Sequence, residues 1–414
     1  MNIRLLLLNL SVLFLLFLGN NVLFAFGYNF TSIFTSILPS FYLLILLLVR
    51  NRFRPLNAEF KDKKEELLLF IIAIVLLIIQ ILTHATGFLG GIINLILLPP
   101  MFSYIYPVKS KKYDYICRKI LTAFYIINSL WAIAERLIRR NIFPFTGAVE
   151  TDSNINYIQG FRSTALQDHP LNNALCLTVI MVFILSSKHI QLKTKLFLYT
   201  LGYLAVLCFN TRSSIILWSI IFFFFLVHYI YKENHKYQTK IKLLLFICIL
   251  IPVAFYFIEQ FQLGDRIRTE KLLDDSAMVR IESLYLLLDI NLRNILLGMP
   301  PNQQELIMYH AGVKIIENFW IVYLLRYGII GFSLIIFGFS KLLKRILANY
   351  TNYQKYFCLL SFLLLASTNN SLSVNAQPLC IFILCSYAWK SPNLKMTNKQ
   401  KRIRTEQLSK VQYP

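Results

Sequence analysis

The sequence predicts an all-α, polytopic integral membrane protein with about 12 transmembrane helices, and three observations carry that prediction. Of its 414 residues 57% are hydrophobic, with a mean hydropathy of +0.58, which is more apolar surface than a soluble chain can hide. Apolar runs long enough to cross a hydrocarbon layer of about 30 Å, which takes roughly 20 helical residues, recur from end to end. Between the runs, basic residues crowd every second connection. The first observation excludes an ordinary cytosolic enzyme, and the third decides what the net charge of +22 means.

The runs lie near residues 5 to 25, 32 to 49, 66 to 84, 87 to 108, 120 to 136, 171 to 187, 196 to 210, 213 to 231, 243 to 259, 315 to 340, 356 to 372 and 376 to 389. The first follows a single basic residue and precedes no small-residue cleavage site, so an uncleaved helix is expected rather than a signal peptide. The sixth opens on Pro170, a residue suited to the first helical turn. Residues 1 to 389 read as one transmembrane domain and residues 390 to 414 as a basic cytoplasmic tail.

Of 42 Lys and Arg, 30 fall at the N-terminus and in 50 to 65, 109 to 119, 188 to 195, 232 to 242, 341 to 355 and 390 to 414, together with 7 acids. The alternate connections hold 11 basic residues and 13 acids, and Arg326 stands alone inside a run. The positive-inside rule then puts the basic connections and both termini in the cytoplasm. The positive excess records orientation, so no nucleic-acid partner is implied. Two connections on the other side are long, about 137 to 170 and 260 to 314, and long ordered loops in a compact protein tend to carry function. In the second, Asp274, Asp275 and Ser276 offer caps for a helix along which Met278, Ile281, Tyr285 and Leu288 recur at helical spacing. It is expected to lie over the mouth of a membrane cavity. Six of the seven cysteines sit in apolar runs and Cys117 in a basic connection, a distribution that implies neither a disulfide nor a metal site.

No glycine-rich phosphate loop, HExxH, GxSxG or spaced acidic pair is present, which argues against nucleotide-dependent chemistry. Chemistry-bearing residues instead gather next to run ends on the less basic side. Arg162, Asp168 and His169 precede the sixth run, where Asp168 reads equally as a substrate contact or as a helix cap. Arg212, in Asn210-Thr211-Arg212-Ser213-Ser214, joins a guanidinium to the free amides of a helix start, a setting for a phosphate or for a snorkelling arginine. Arg280 belongs to the expected loop helix, and Glu317 and Asn318 open the tenth run at a depth where an acid is expensive unless paired or functional. Arg326, nine residues on, falls on the opposite face of a straight helix and is expected to be structural.

Taken in order, Arg-x5-Asp-His-Pro-x2-Asn (162 to 173), Thr211-Arg212-Ser213, Arg280, Leu297-Gly298-Met299-Pro300, and Glu317-Asn318 followed by Arg326-Tyr327-Gly328-Ile329-Ile330-Gly331 resemble the O-antigen ligase and polymerase superfamily. The resemblance covers about residues 155 to 340 and rests on the order of short motifs. It implies a GT-C-like, metal-independent membrane glycosyltransferase of the bacterial inner membrane, with no cofactor and a periplasmic active face. The donor would be a sugar chain on undecaprenyl diphosphate, and a flippase and a chain-length regulator would be its partners.

By position, Arg212 and Arg280 match the arginines that hold the diphosphate, and Arg162, Asp168, His169 and Asn318 are the remaining substrate-binding candidates. Family ligases carry a histidine where this chain has Glu317. A carboxylate there is suited to take a proton from a sugar hydroxyl, and a glutamate at this place looks more like the polymerases. Polymerisation of lipid-linked repeats is therefore the expectation. A ligase that passes glycan to lipid A core or another acceptor is the near alternative. A transporter of lipid-linked sugar is the distant one, disfavoured because no internal repeat is visible.

Overall fold

The computed structural model describes residues 3–28, 32–56, 60–83, 86–108, 110–143, 161–188, 190–232, 237–260, 282–288, 290–313 and 315–390. Among the described residues the regular structure is helical throughout. The principal helices are α1 (Ile3–Phe17), α2 (Pro39–Arg50), α3 (Lys64–Leu82), α4 (Leu89–Ile105), α5 (Lys111–Ile138), α6 (Pro170–Ser186), α7 (Leu192–Phe209), α8 (Arg212–Lys232), α9 (Tyr237–Gln260), α10 (Phe319–Ile346), α11 (Asn352–Ser367) and α12 (Gln377–Ala388). Five of these, α3, α5, α7, α8 and α10, are long and apolar enough to cross a membrane.

The hub is α6. Pro170 and every residue from Asn172 to Leu185 are buried, so this helix is enclosed on all sides, by α5, α7, α8, α11 and α12. Helices farther out keep one face inward and turn the other out. On α3, Leu69, Ile72, Ala73 and Leu76 are buried while Ile71, Ile74, Ile78 and Ile81 are exposed, an apolar outer face of the kind that suits lipid rather than water. That inner face meets glycines on α10. A Cβ at Gly331 would come within 2.9 Å of Leu76, and one at Gly338 within 2.5 Å of Leu69, so the two positions form a trough that lets the helices approach closely.

Several expected runs are broken by short interruptions. The first run divides at Gly19 into α1 and a short helix, Asn20–Ala25. The second divides at Ile37 and Leu38, just before Pro39, where Asn94 accepts from the Leu38 amide and donates to the Ser36 carbonyl. Asn94 lies in a π-helical turn of α4, Ile92–Leu97, just ahead of Pro99 and Pro100. The helix expected from Asp274 to Leu288 lies outside the described residues up to residue 281. In its described end Ser283 and Leu286 are buried, whereas Tyr285 and Leu288 are exposed, so the inward face differs from the one the spacing predicts.

Connections that the charge count groups together meet at one end of the bundle. There the carboxylate of Glu66, fully buried at the start of α3, accepts from Ser103 Oγ at 2.6 Å and pairs with Lys63 at 3.5 Å and with Arg345. Tyr387 closes the knot against Ser103 at 2.8 Å, tying α3, α4, α10 and α12. Nearby, Lys390 pairs with Asp114 at 3.2 Å. Burial lowers the Lys63 ammonium to about 8, with Glu66 opposing that shift. Glu66→Ala strips two cations of a buried counter-charge and is expected to cost about 3–5 kcal/mol, read as a lower melting temperature of the purified protein.

Candidate functional site

The opposite end of the bundle is built around residues 161–169, which run into the protein without regular structure. Ser163 to Asp168 are all buried. A backbone in that position must have each amide and carbonyl satisfied, and the bundle supplies side chains for the purpose. Glu135, fully buried on α5, accepts through Oε2 from Ser163 Oγ at 2.5 Å, the Thr164 amide at 3.1 Å and the Ala165 amide at 3.0 Å, and through Oε1 from the Ile142 amide at 2.9 Å. Asn128 accepts from the Leu166 amide at 3.1 Å and Asn173 from the Gln167 amide at 3.2 Å. Ala165 and Asp168 are held at φ of 40° and 66°, which side chains rarely adopt.

Asp168 faces inward. Its carboxylate accepts from the amides of Asn20 and Asn21, each at 2.8 Å, and so caps the short helix that follows the break at Gly19. Burial pushes this carboxyl up to about 6, while the two amides pull it down. Gly19 has no alternative: a Cβ would lie 2.3 Å from the Leu166 carbonyl oxygen and 2.6 Å from Asp168 Oδ1. The cap of α6 is His169 rather than Asp168, since Nδ1 of His169 accepts from the Leu171 amide at 3.2 Å. Of the substrate-binding candidates, these two therefore serve helix starts.

Arg162 is placed differently. Its Nε donates to the Phe209 carbonyl at 3.4 Å, where the negative end of α7 favours a cation. The Ser163 amide donates to the Cys208 carbonyl at 3.2 Å, and Arg136 donates to the Phe161 carbonyl at 2.6 Å. The turn after Phe209, with Asn210 in the left-handed region at φ 52°, reverses the chain and starts α8 at Arg212. Arg162 and Arg212 thus flank one turn.

From Arg212 the connections lead to Glu317. The hydroxyls of Ser213 and Thr368 lie 3.2 Å apart. Thr368 begins a polar turn whose Asn369 carbonyl accepts from the Phe319 amide at 3.3 Å, and whose Asn370 side chain donates to the Ile316 carbonyl at 3.2 Å. Glu317 lies between those two anchor points and is half-buried. Asn318 is the N-cap of α10, its Oδ1 accepting from the Trp320 amide at 2.9 Å. The starts of α8 and α10, each with the positive end of a helix dipole, converge on the turn at 368–370. That turn, Arg136 and Glu135 are the parts that sequence reasoning missed. Their signal was a Ser- and Asn-rich stretch between two apolar runs and two charges at the edge of another.

The kink in α10 completes the site. Gly328 stands at φ 63°, ψ 177°, a region essentially reserved for glycine, and releases two carbonyls from the helix. The Leu325 carbonyl accepts from the Met299 amide at 2.9 Å, and the Arg326 carbonyl from buried Gln80 of α3 at 3.0 Å. Gly298, at φ 85°, ψ 172°, packs backbone to backbone against this kink: a Cβ on it would lie 2.3 Å from the Arg326 carbonyl oxygen, and one on Gly328 would lie 2.3 Å from the Leu296 carbonyl oxygen. The Leu297-Gly298-Met299-Pro300 turn and the Arg326-Tyr327-Gly328 segment, separate in sequence, are one joint. Arg326 donates to the Ser373 carbonyl at 2.9 Å, as expected of a residue that ties α10 to another element.

Behind Glu317, between α10 and α11, an apolar cavity of about 530 Å³ runs from Phe319, Trp320 and Tyr323 to Lys344 and Lys355. Arg280 lies outside the described residues. Among the described residues no three His, Cys, Asp or Glu side chains gather as a metal site.

Gly298→Ala and Gly328→Ala each force a side chain into a backbone contact and a strained φ. Each is expected to lower stability by about 3 kcal/mol or more, measured as melting temperature. Asp168→Asn should lose one amide bond and turn an NH2 group toward the other amide, costing about 1–3 kcal/mol in the same measurement. Compared with known proteins, the chain matches no protein-family model and no curated protein.

Proposed function

We propose that the chain is a polymerase of undecaprenyl-diphosphate-linked oligosaccharide repeats, working at the periplasmic face of a bacterial inner membrane. The observation that carries this reading is the continuous link from Arg212 through Ser213, Thr368 and Asn370 to Glu317, which joins a helix start bearing an arginine to one bearing a carboxylate. The order of motifs supports it independently, because the two glycine-bearing segments that resemble the family are also the two that interlock. Orientation follows from the charge count, with both termini and the Glu66 knot on the cytoplasmic side.

In the reaction, Glu317 takes the proton of a hydroxyl on the acceptor repeat as that oxygen attacks the anomeric carbon of the donor chain. The bond from the anomeric carbon to the diphosphate oxygen breaks, and its electron pair leaves with undecaprenyl diphosphate. Charge grows on that leaving group, so the Arg212 guanidinium and the amides at the start of α8 bind it more tightly in the transition state than before. Arg280 is assigned the same task by the resemblance. The cavity between α10 and α11 suits an isoprenoid tail, because it is lined mainly by Phe, Leu and Ile side chains.

The purified protein, given a lipid-linked repeat without nucleotide or added divalent metal, is expected to produce a ladder of lengthening chains on a gel. Glu317→Gln should slow elongation by about 10²–10⁴-fold and Arg212→Ala by about 10²–10³-fold, with protein level and melting temperature unchanged. Normal chain lengths in either variant would remove its assigned role. Transfer of a preformed chain to a foreign acceptor without elongation would identify a ligase instead.

A further inference from the structure

A second cavity, of about 250 Å³, lies on the other side of the turn at 368–370. Phe88, Gln304, Glu305, Arg326, Asn370 and Ser373 contribute to its lining, and so does Ile316, the residue before Glu317. The volume falls below the roughly 300–1,000 Å³ of pockets that take drug-sized ligands, so it fits a single ring rather than a chain.

Its charges are arranged unusually. Arg326 is fixed: one terminal nitrogen donates to the Ser373 carbonyl at 2.9 Å, and the guanidinium carbon sits 5.0 Å from the centre of the Phe88 ring. Its Nε is buried without a hydrogen-bond partner. Glu305, on the short helix Pro301–His310, shares the cavity but forms no ion pair with Arg326 among the described residues. A cavity holding a donor and an acceptor of opposite charge, not joined to each other, is complementary to a group that both accepts and donates. An anion would meet Glu305 and a cation would meet Arg326. The hydroxyls of a neutral sugar can both accept from Arg326 and donate to Glu305, and Phe88, Ile315 and Ile316 offer apolar surface to the carbon-bound hydrogens of a ring.

From this we infer that the Arg326–Glu305 cavity is a binding subsite for a neutral sugar ring of the acceptor repeat. Asn370 and Ile316 both line the cavity and are joined by a hydrogen bond, which places the cavity one residue along the chain from Glu317. The inference rests on the polymerase reading only in naming the sugar as part of an acceptor.

The test uses the full chain in lipid nanodiscs and a panel of immobilised neutral mono- to trisaccharides, with inorganic pyrophosphate as competitor. Wild-type protein should retain at least one neutral sugar. Arg326→Gln and Glu305→Gln should each weaken that binding at least tenfold, while Arg212→Gln should leave it unchanged and pyrophosphate should not compete. Glu305 is exposed at the rim, so its variant decides the matter if Arg326→Gln melts early. Retention of no neutral sugar, unchanged binding by Glu305→Gln, or displacement by pyrophosphate would overturn the inference. No lipid diphosphate is present in this assay, so its failure leaves the transfer reaction standing, and a failed elongation assay leaves sugar binding readable.

Discussion

A polar backbone group that leaves a helix inside an apolar bundle has no water to turn to, and this constraint organises the protein. At four of the described helix breaks and irregular segments, a side chain from elsewhere binds backbone groups set free there. Asp168 reaches the amides of Asn20 and Asn21, Asn94 serves both sides of the interruption before Pro39, Gln80 takes the Arg326 carbonyl, and Glu135 takes three backbone amides at once. Asp168, Gln80 and Glu135 are buried and Asn94 is half-buried. Removing any one leaves a backbone group whose desolvation has no compensation.

The helices were largely legible in the sequence, because an apolar run of sufficient length has few alternatives in or out of a membrane. Their interruptions were not. Gly19 reads as one small residue in a long apolar stretch, and its necessity comes from Leu166 and Asp168, nearly 150 residues away. Gly328 looks like part of a helix motif until Leu296 and Gly298 are seen against it. The same distinction applies to the site. Arg212 and Glu317 stood out as charges beside apolar runs, whereas Thr368 and Asn370, which connect them, carry no charge and look like any loop. Asp168 shows the converse: a carboxylate beside a helix start reads as its cap, but the helix it caps is another one, and the imidazole of His169 does the local work.

The two ends of the bundle use charge in opposite ways. At the end holding Glu66, acids and bases are matched and closed off by Ser103 and Tyr387, so the cluster acts as a staple across four helices. At the other end Arg162 and Arg212 flank a turn, and Arg326 and Glu305 share a cavity without meeting. Matched, closed pairs tie elements together, which is the role of the Glu66 cluster. Between the two ends, the cavity along α10 and α11 is lined mainly by Phe, Leu and Ile side chains.

The contact between Gly298 and Gly328 also has a meaning for descent. Each residue occupies a backbone region that only glycine tolerates, and each leaves too little room for a methyl group on the other's segment. No second mutation can compensate for a first one, because the obstacle is main chain and not a side chain that could be trimmed. The pair behaves as a single inherited character, kept whole or lost with the joint, and lineages that share this architecture should differ almost anywhere else in these loops before they differ here.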